Sequence, residues 1–313
     1  MAVLGLLLSA PAAYAAQDSL VTAVFSNVSN GYTREKLPDG SFKRETYAIS
    51  NGGYSAGVAR NQSIDAVPFP TIAGLVAEHL ARQNYFLAQD AKSADLLLVI
   101  SWGTTVPFSD GMSRFAQDNV FTAMNSVKSA VANAGAEMNN RSTEGIQSSA
   151  AAAAATDAAR GELAGQLFEM QTFNSMRDKA NERNARLLGY MKEINSRNDS
   201  SRYAGAGTYF DDLISDIESE RYYVIITAYD FRAATQDKAR KLLWSTRVSI
   251  QAQGNRFDES LALMVANASR HFGQDSGRLV RQYQPTTRVN FGELKILGVV
   301  PQSSLPEKPA PEK

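Results

Sequence analysis

The sequence predicts an α+β protein in which a largely antiparallel sheet, with helices on one face, is interrupted by a long helical hairpin. Three observations predict this class. Segments of strand composition occur on both sides of the chain's midpoint, and amphipathic helical patterns accompany them. Between residues 109 and 203 the composition changes to Ala, Asn, Ser, Met and Gln. With 313 residues and 44% hydrophobic residues, the chain can bury at least one ordinary core.

The first part of the predicted α+β domain is residues 16–108. The composition from Leu20 to Val28 favours a strand, and a turn signal precedes a second strand from Phe42 to Ile49. Thr71 can cap an amphipathic helix. The run from Asp95 to Trp102 is almost continuously apolar, which predicts a strand covered on both faces.

Residues 109–203 are predicted to form the inserted hairpin. Two series of apolar residues repeat there at the three- and four-residue spacing of a helix seam, and the chain is expected to reverse between Asn139 and Gly161. The side chains expected to contact a partner are Met124, Val127, Val131, Met138, Leu163, Leu167, Met170 and Phe173.

The second part of the domain is residues 204–300. A strand is predicted from Arg221 to Arg232, and a half-buried antiparallel strand from Leu243 to Ile250, since apolar and polar residues alternate there. An amphipathic helix after Asn255 and a strand from Glu293 to Val300 complete it. The proline-rich tail, residues 301–313, is expected to be disordered.

The N-terminus predicts export. Residues 1–15 have an apolar centre followed by Ala13-Tyr14-Ala15, the small-x-small pattern of a signal-peptidase site. We expect cleavage after Ala15 or Ala16; the alternative is a buried N-terminal helix. No later stretch predicts a transmembrane segment in the mature chain. The absence of cysteine fits a periplasm better than a eukaryotic secretory route.

The stretch from Thr71 through Ala94-Asp95-Leu96-Leu97-Leu98-Val99, and the later Tyr229-Asp230 with Lys241-Leu242-Leu243-Trp244, resemble an uncharacterised family of bacterial envelope proteins. Many members are lipoproteins, whereas this chain lacks the Cys that would carry the lipid. The resemblance covers about half of the mature chain and leaves out the hairpin. It implies an envelope location and a non-enzymatic protein, and it assigns no catalytic residue.

The composition excludes several kinds of chemistry. There is no Cys for catalysis, thiolate zinc sites or disulfides, and 32 basic residues balance 32 acidic ones, which gives no general attraction to nucleic acid. His79 and His271 could be general bases, but each lies beside a helical apolar stripe. Acidic residues from Asp211 to Glu220 could attract Ca²⁺ or form a solvated helix face. We therefore predict no catalytic residue, cofactor or metal.

Two functions remain open. The first is an exported structural or protein-binding envelope protein that contacts a protein partner, or a second copy of itself, through the hairpin. The alternative is a small-ligand or glycan-binding module that stacks its ligand on sheet aromatics. Those aromatics are Trp102, Tyr222, Tyr223, Tyr229 and Trp244.

Overall fold

The computed structural model describes residues 19–90, 93–108, 110–137, 143–195, 207–235 and 239–285. Residues 21–282 form one compact unit, and the chain ends, residues 1–20 and 283–313, form a second. Three predicted segments lie outside the described residues: the signal peptide, the strand from Glu293 to Val300, and the proline-rich tail.

Seven strands in the described residues form one mixed sheet in the order β3-β2-β4-β5-β6-β1-β7. They are β1 (Ser19–Val28), β2 (Glu45–Ser55), β3 (Tyr85–Leu87), β4 (Leu96–Thr104), β5 (Arg221–Asp230), β6 (Leu242–Gln251) and β7 (Val280–Pro285). Strand β2 is parallel to β3 and β4, whereas the pairs β4–β5, β5–β6 and β6–β1 are antiparallel. The predicted α+β class with a largely antiparallel sheet is confirmed.

Eight helices accompany the sheet in the described residues. They are α1 (Gln62–Asp65), α2 (Phe69–Ala81), α3 (Asp110–Glu137), α4 (Thr143–Leu188), α5 (Met191–Asn195), α6 (Gly207–Glu218), α7 (Phe231–Thr235) and α8 (Phe257–Ser269). The two longest, α3 and α4, follow β4 and precede β5, which is where the sequence predicts the inserted hairpin. No helix in the described parts of the chain combines the length and apolar character that a bilayer crossing needs.

The main core lies between the sheet and the helices α2 and α8. Trp244 of β6 is completely buried and stacks on Phe272, with ring centroids 5.8 Å apart. Tyr222 of β5 meets the edge of Phe257 at 5.6 Å. The apolar stripe of α2 (Ile72, Val76 and Leu80) is fully buried, as its helical spacing predicts.

The opposite face of the sheet is covered as well. The last turns of α4, the loop to α5, and α6 bury Tyr223 of β5 and Ala23 of β1 in a second apolar cluster. The alternation of apolar and polar residues along β6 predicts one solvent-exposed face, but Ser245 and Ser249 on that face are both 1% exposed. Small serines can be covered by a helix as readily as by water, so alternation by itself does not identify the solvent side.

Strand β2 extends further than its sequence predicts. Gly52 and Gly53 favour a loop, yet they lie inside the strand at a register shift opposite β4. A Cβ on Gly52 would overlap the Ser101 hydroxyl, so the glycine permits close approach of two strands.

Candidate functional site

Helices α3 and α4 pack on each other as an antiparallel pair. At one end, the Ser148 hydroxyl donates a hydrogen bond to the Glu137 carboxylate, with 2.7 Å between the oxygens. At the other end, the Asn184 amide donates to the Val106 carbonyl just before α3, at 3.1 Å. The end of α3 therefore lies beside the start of α4. The residues of the reversal, 138–142, lie outside the described residues.

The seam of α3 consists mainly of small side chains. Its buried and half-buried positions recur every three or four residues, which is the spacing of one helix face. They are Ala116, Val120, Ala123, Val127, Ala130 and Ala134. Because alanine adds so little bulk, the two helix axes can approach closely.

The seam of α4 follows the same spacing over a longer distance and carries the larger side chains. Its half-buried and buried positions include Ala152, Thr156, Ala159, Leu163, Gln166, Met170, Phe173, Arg177 and Ala180. Large residues on α4 thus pack against small ones on α3. Before Ala180, the only fully buried residue among the described side chains of α4 is Thr156. This part of the hairpin is therefore a two-helix layer.

The eight residues predicted as partner contacts fall into three groups. Half-buried in the seam between the two helices are Val127, Leu163, Met170 and Phe173. Exposed on the hairpin surface are Met124, Val131 and Leu167. Met138 lies outside the described residues. The first group packs against the other helix of the same hairpin, so the exposed group is the one that is open to a partner.

Exposed apolar side chains lie mainly on one side of the hairpin, which we call the apolar flank. Its members are Phe121, Met124, Val131, Leu167 and Phe168, which are 67%, 55%, 47%, 44% and 72% exposed. Val131 and Leu167 each lie four positions after a seam residue. Four residues of an α-helix make one turn plus about 40°, so both side chains point about 40° away from the seam, in the same sense about their own helix axis. In an antiparallel pair, equal rotations of this sense lead to the same side of the hairpin. Two exposed residues lie off the flank: at 100° per residue, Phe115 is about 180° from Met124, and Met176, which is 51% exposed, is about 180° from Leu167.

Hydrogen bonds hold the root of the hairpin, the last turns of α4, against α6. Both Arg177 Nε and Asn181 Nδ2 donate to Glu218 Oε1, at 2.6 and 2.7 Å. Asn184 is 1% exposed and also donates to the carbonyl of Ile217, at 3.0 Å. These bonds fix the direction in which the hairpin leaves the sheet.

The predicted acidic cluster is an ion-pair network around Asp216. Arg221 Nη1 donates to Asp216 Oδ1 at 2.7 Å, and Arg281 and the Tyr190 hydroxyl donate to Asp216 Oδ2, the latter at 2.9 Å. Burial raises the pKa of Tyr190 above its ordinary value, so its hydroxyl stays a donor. Three donors thus meet the Asp216 carboxylate, whereas Asp212 in the same cluster is 62% exposed. In the described residues no cluster of three or more acidic or histidine side chains could hold a metal ion.

The two histidines are on the helical side of the main core. Burial lowers the pKa of both His79 and His271, and the charges of nearby arginines lower it further. Both are partly buried; His79 is on α2 as predicted, whereas His271 lies in the turn after α8. A lowered pKa keeps both rings neutral at pH 7.

The alternative prediction places a ligand site on sheet aromatics, and four of these five side chains are buried. Trp102, Tyr222, Tyr223 and Trp244 are between 0% and 6% exposed, and Tyr229 is half-buried. The four buried rings pack on the two faces of the sheet, where no sugar ring could stack on them.

Comparison with protein-family models and with curated proteins gives no match.

Proposed function

We propose that this protein is a non-enzymatic structural protein of the bacterial envelope, in which the α+β body holds a helical hairpin that binds a second copy of the chain. The apolar flank carries this proposal. Five large apolar side chains exposed on one side of a two-helix layer are a surface that another helix pair can cover. Two such layers face to face would form a four-helix bundle.

The rest of the hairpin surface supports the same proposal. From Phe115 to Ala134 the only charged residues of α3 are Asp118 and Lys128, and the other polar residues are Asn, Gln, Ser and Thr. A long exposed helix that needs only to stay soluble usually carries many more charges. Depletion of charge around large apolar side chains is typical of protein interfaces.

A second copy is the partner to which we commit. A two-fold contact brings the same side chains of both copies together, so Phe and Met residues would pack on Phe and Met residues. The charges near the flank, Lys128 of α3 with Asp157 and Arg160 of α4, include both signs. A surface of mixed sign can therefore face its own copy without net repulsion.

Light scattering coupled to size exclusion tests the proposal on the mature chain. The wild-type protein should elute as a dimer or larger assembly, and Phe121→Ser should weaken the self-association by about tenfold or more. Phe115→Ser is the matched control, because Phe115 is 60% exposed on the same helix but lies off the apolar flank. A wild-type protein that stays monomeric at high concentration, or equal effects of both substitutions, would contradict it.

The envelope location is part of the proposal and rests on Ala13-Tyr14-Ala15. N-terminal sequencing of the protein recovered from the envelope of its host should give Ala16 or Gln17 as the first residue. An intact N-terminus on protein found only in the cytosol would contradict the export prediction while leaving the hairpin prediction standing.

A further inference from the structure

A cleft of about 780 Å³ lies between the last turns of α4 and the sheet. Its lining includes apolar side chains, among them Leu187 of α4 and Ile225 of β5, and the hydroxyl-bearing residues Ser55, Thr104 and Thr105. This volume is in the range of small-molecule sites, and a few polar groups on an apolar lining are typical of such sites.

The side chains around this cleft are predominantly cationic. Lys179, Arg183, Arg186 and Arg247 line it, against the single carboxylate of Glu182. That carboxylate is paired with Arg186 at 2.5 Å, on an exposed turn of α4. The lining therefore has three positive charges in excess of its negative charge.

Arg247 is the unusual member of the group. It projects from the centre of β6, between Phe25 of β1 and Ile225 of β5, and it also lines a second cavity of about 440 Å³ beside Gly189. Its Nη1 donates to the neutral Asn27 side chain at 3.2 Å, and its buried Nε has no hydrogen-bond partner among the described residues. Burial lowers the pKa of its guanidinium.

The same sheet face shows how this protein pairs a buried arginine elsewhere. Arg221, on the neighbouring strand, has a side chain that is 2% exposed, and it meets Asp216 in addition to the hydroxyl of Ser249. No carboxylate pairs with Arg247 in the described part of the chain. Arg247 is half-buried, and a cation partly withdrawn from water without an anion is costly unless an anion arrives from outside.

We propose that the cleft binds an amphiphilic oxyanion, a carboxylate or phosphate on an apolar chain, with Arg247 as the anchor of its head group. The planar guanidinium presents paired N–H donors to two oxygens of one head group. The cations at the rim, Lys179 and Arg183, draw the anion in, and the apolar chain lies on Leu187 and Ile225. This site is distinct from the apolar flank, and it requires no self-association.

Calorimetry on the mature chain tests the proposal with four probes: octanoate, octyl phosphate, inorganic phosphate and octanol. At least one of the two amphiphilic anions should bind, more tightly than inorganic phosphate and than octanol, and the tighter anion identifies the head group. Arg247→Met should weaken that binding by about 10- to 100-fold. Arg82→Met should leave it unchanged, because Arg82 is exposed on α2 and pairs with Glu78.

A second measurement separates a binding role from a structural one. Methionine replaces the apolar stem of the Arg247 side chain without its charge, so Arg247→Met should raise the melting temperature of the ligand-free protein. A fall in melting temperature would show that Arg247 stabilises the fold, and it would overturn the proposal. So would the absence of binding by both amphiphilic anions, or binding of octanol as tight as theirs.

Discussion

The root of the hairpin and its distal part belong to the same two helices, yet they are stabilised in different ways. At the root, α4 packs on both α6 and the sheet, and Asn184, Ala185 and Leu188 are at most 3% exposed. In the distal part, α3 and α4 pack mainly on each other among the described elements, and Phe121 and Phe168 are largely exposed to solvent. The contacts at the root therefore hold the helices in one geometry, whereas the distal part leaves large apolar side chains exposed.

The polar residues show the same division. Glu218, Asp216 and Asn184 at the root each meet two or more partners, so removing one group leaves others buried without compensation. The distal ion pair between Arg160 and Asp157 spans 3.4 Å, and both side chains are more than 60% exposed. Exposed pairs of this kind contribute about 0–1 kcal/mol.

The largest expected effect is at the root. Among the described residues, Asp216 is the one carboxylate that meets the buried Arg221, so Asp216→Asn should lower the free energy of unfolding by about 3–5 kcal/mol. Denaturant titration followed by circular dichroism measures it. Asp212→Asn is the matched control, since its side chain is 62% exposed, and it should change the free energy by less than about 0.5 kcal/mol. If both substitutions changed the free energy of unfolding equally, Asp216 would not differ from an exposed acidic residue, and the buried network would be contradicted.

The next effect concerns the residue at which α4 ends. Gly189 has φ +85°, and the Tyr190 amide donates back to the Ala185 carbonyl at 2.8 Å, the bond of a Schellman cap. A Cβ at Gly189 would lie 2.5 Å from the Phe25 ring. Gly189→Ala therefore combines a strained backbone with an overlap against β1, and it should lower the free energy of unfolding by about 2–4 kcal/mol. Thermal and denaturant unfolding measure this change.

Much of the fold could be predicted from the sequence, because long periodic patterns define elements. The strands around Val99, Ile226 and Val248 and the helices α2 and α8 occur where their patterns predict. The short elements α1, β3 and α7 were not predicted, because three to five residues carry no periodicity.

The hairpin illustrates where pattern analysis fails. Its existence follows from the three- and four-residue spacing, but on α3 the predicted contact residues Met124 and Val131 are exposed, while Ala116 and Ala123 are buried. A close antiparallel pair needs small residues on one helix, whereas a search for apolar periodicity selects the large ones. On α4, which carries the large seam residues, the predicted Leu163 and Met170 are in the seam.

Arg247 was missed for a related reason. In the sequence it belongs to the polar face of an alternating strand, which predicts contact with water. Its neighbours on that face, Ser245 and Ser249, could have indicated that the face is buried. A solvent-exposed strand face usually carries longer polar or charged side chains. That face is buried because α4 returns across the sheet at the end of a hairpin of roughly 80 residues. Helix α4 alone is about 69 Å long. No local sequence pattern contains information about a contact formed over such a distance.

The smallest expected effect has the opposite sign and lies in the distal part. Gly161 is inside α4, is exposed, and has no atom within 4 Å of the position that a Cβ would occupy. An alanine methyl group there would contact no neighbour, and alanine has fewer backbone conformations than glycine in the unfolded chain. Gly161→Ala should therefore raise the free energy of unfolding by about 0.5–1 kcal/mol. Replacement of glycine by alanine should thus destabilise the protein at Gly189 in the root, where the backbone and Phe25 exclude a Cβ, and stabilise it at Gly161 in the distal part. If Gly161→Ala were instead destabilising, α4 would be packed on a surface at this point, and the distal part would not be the open two-helix layer on which self-association depends.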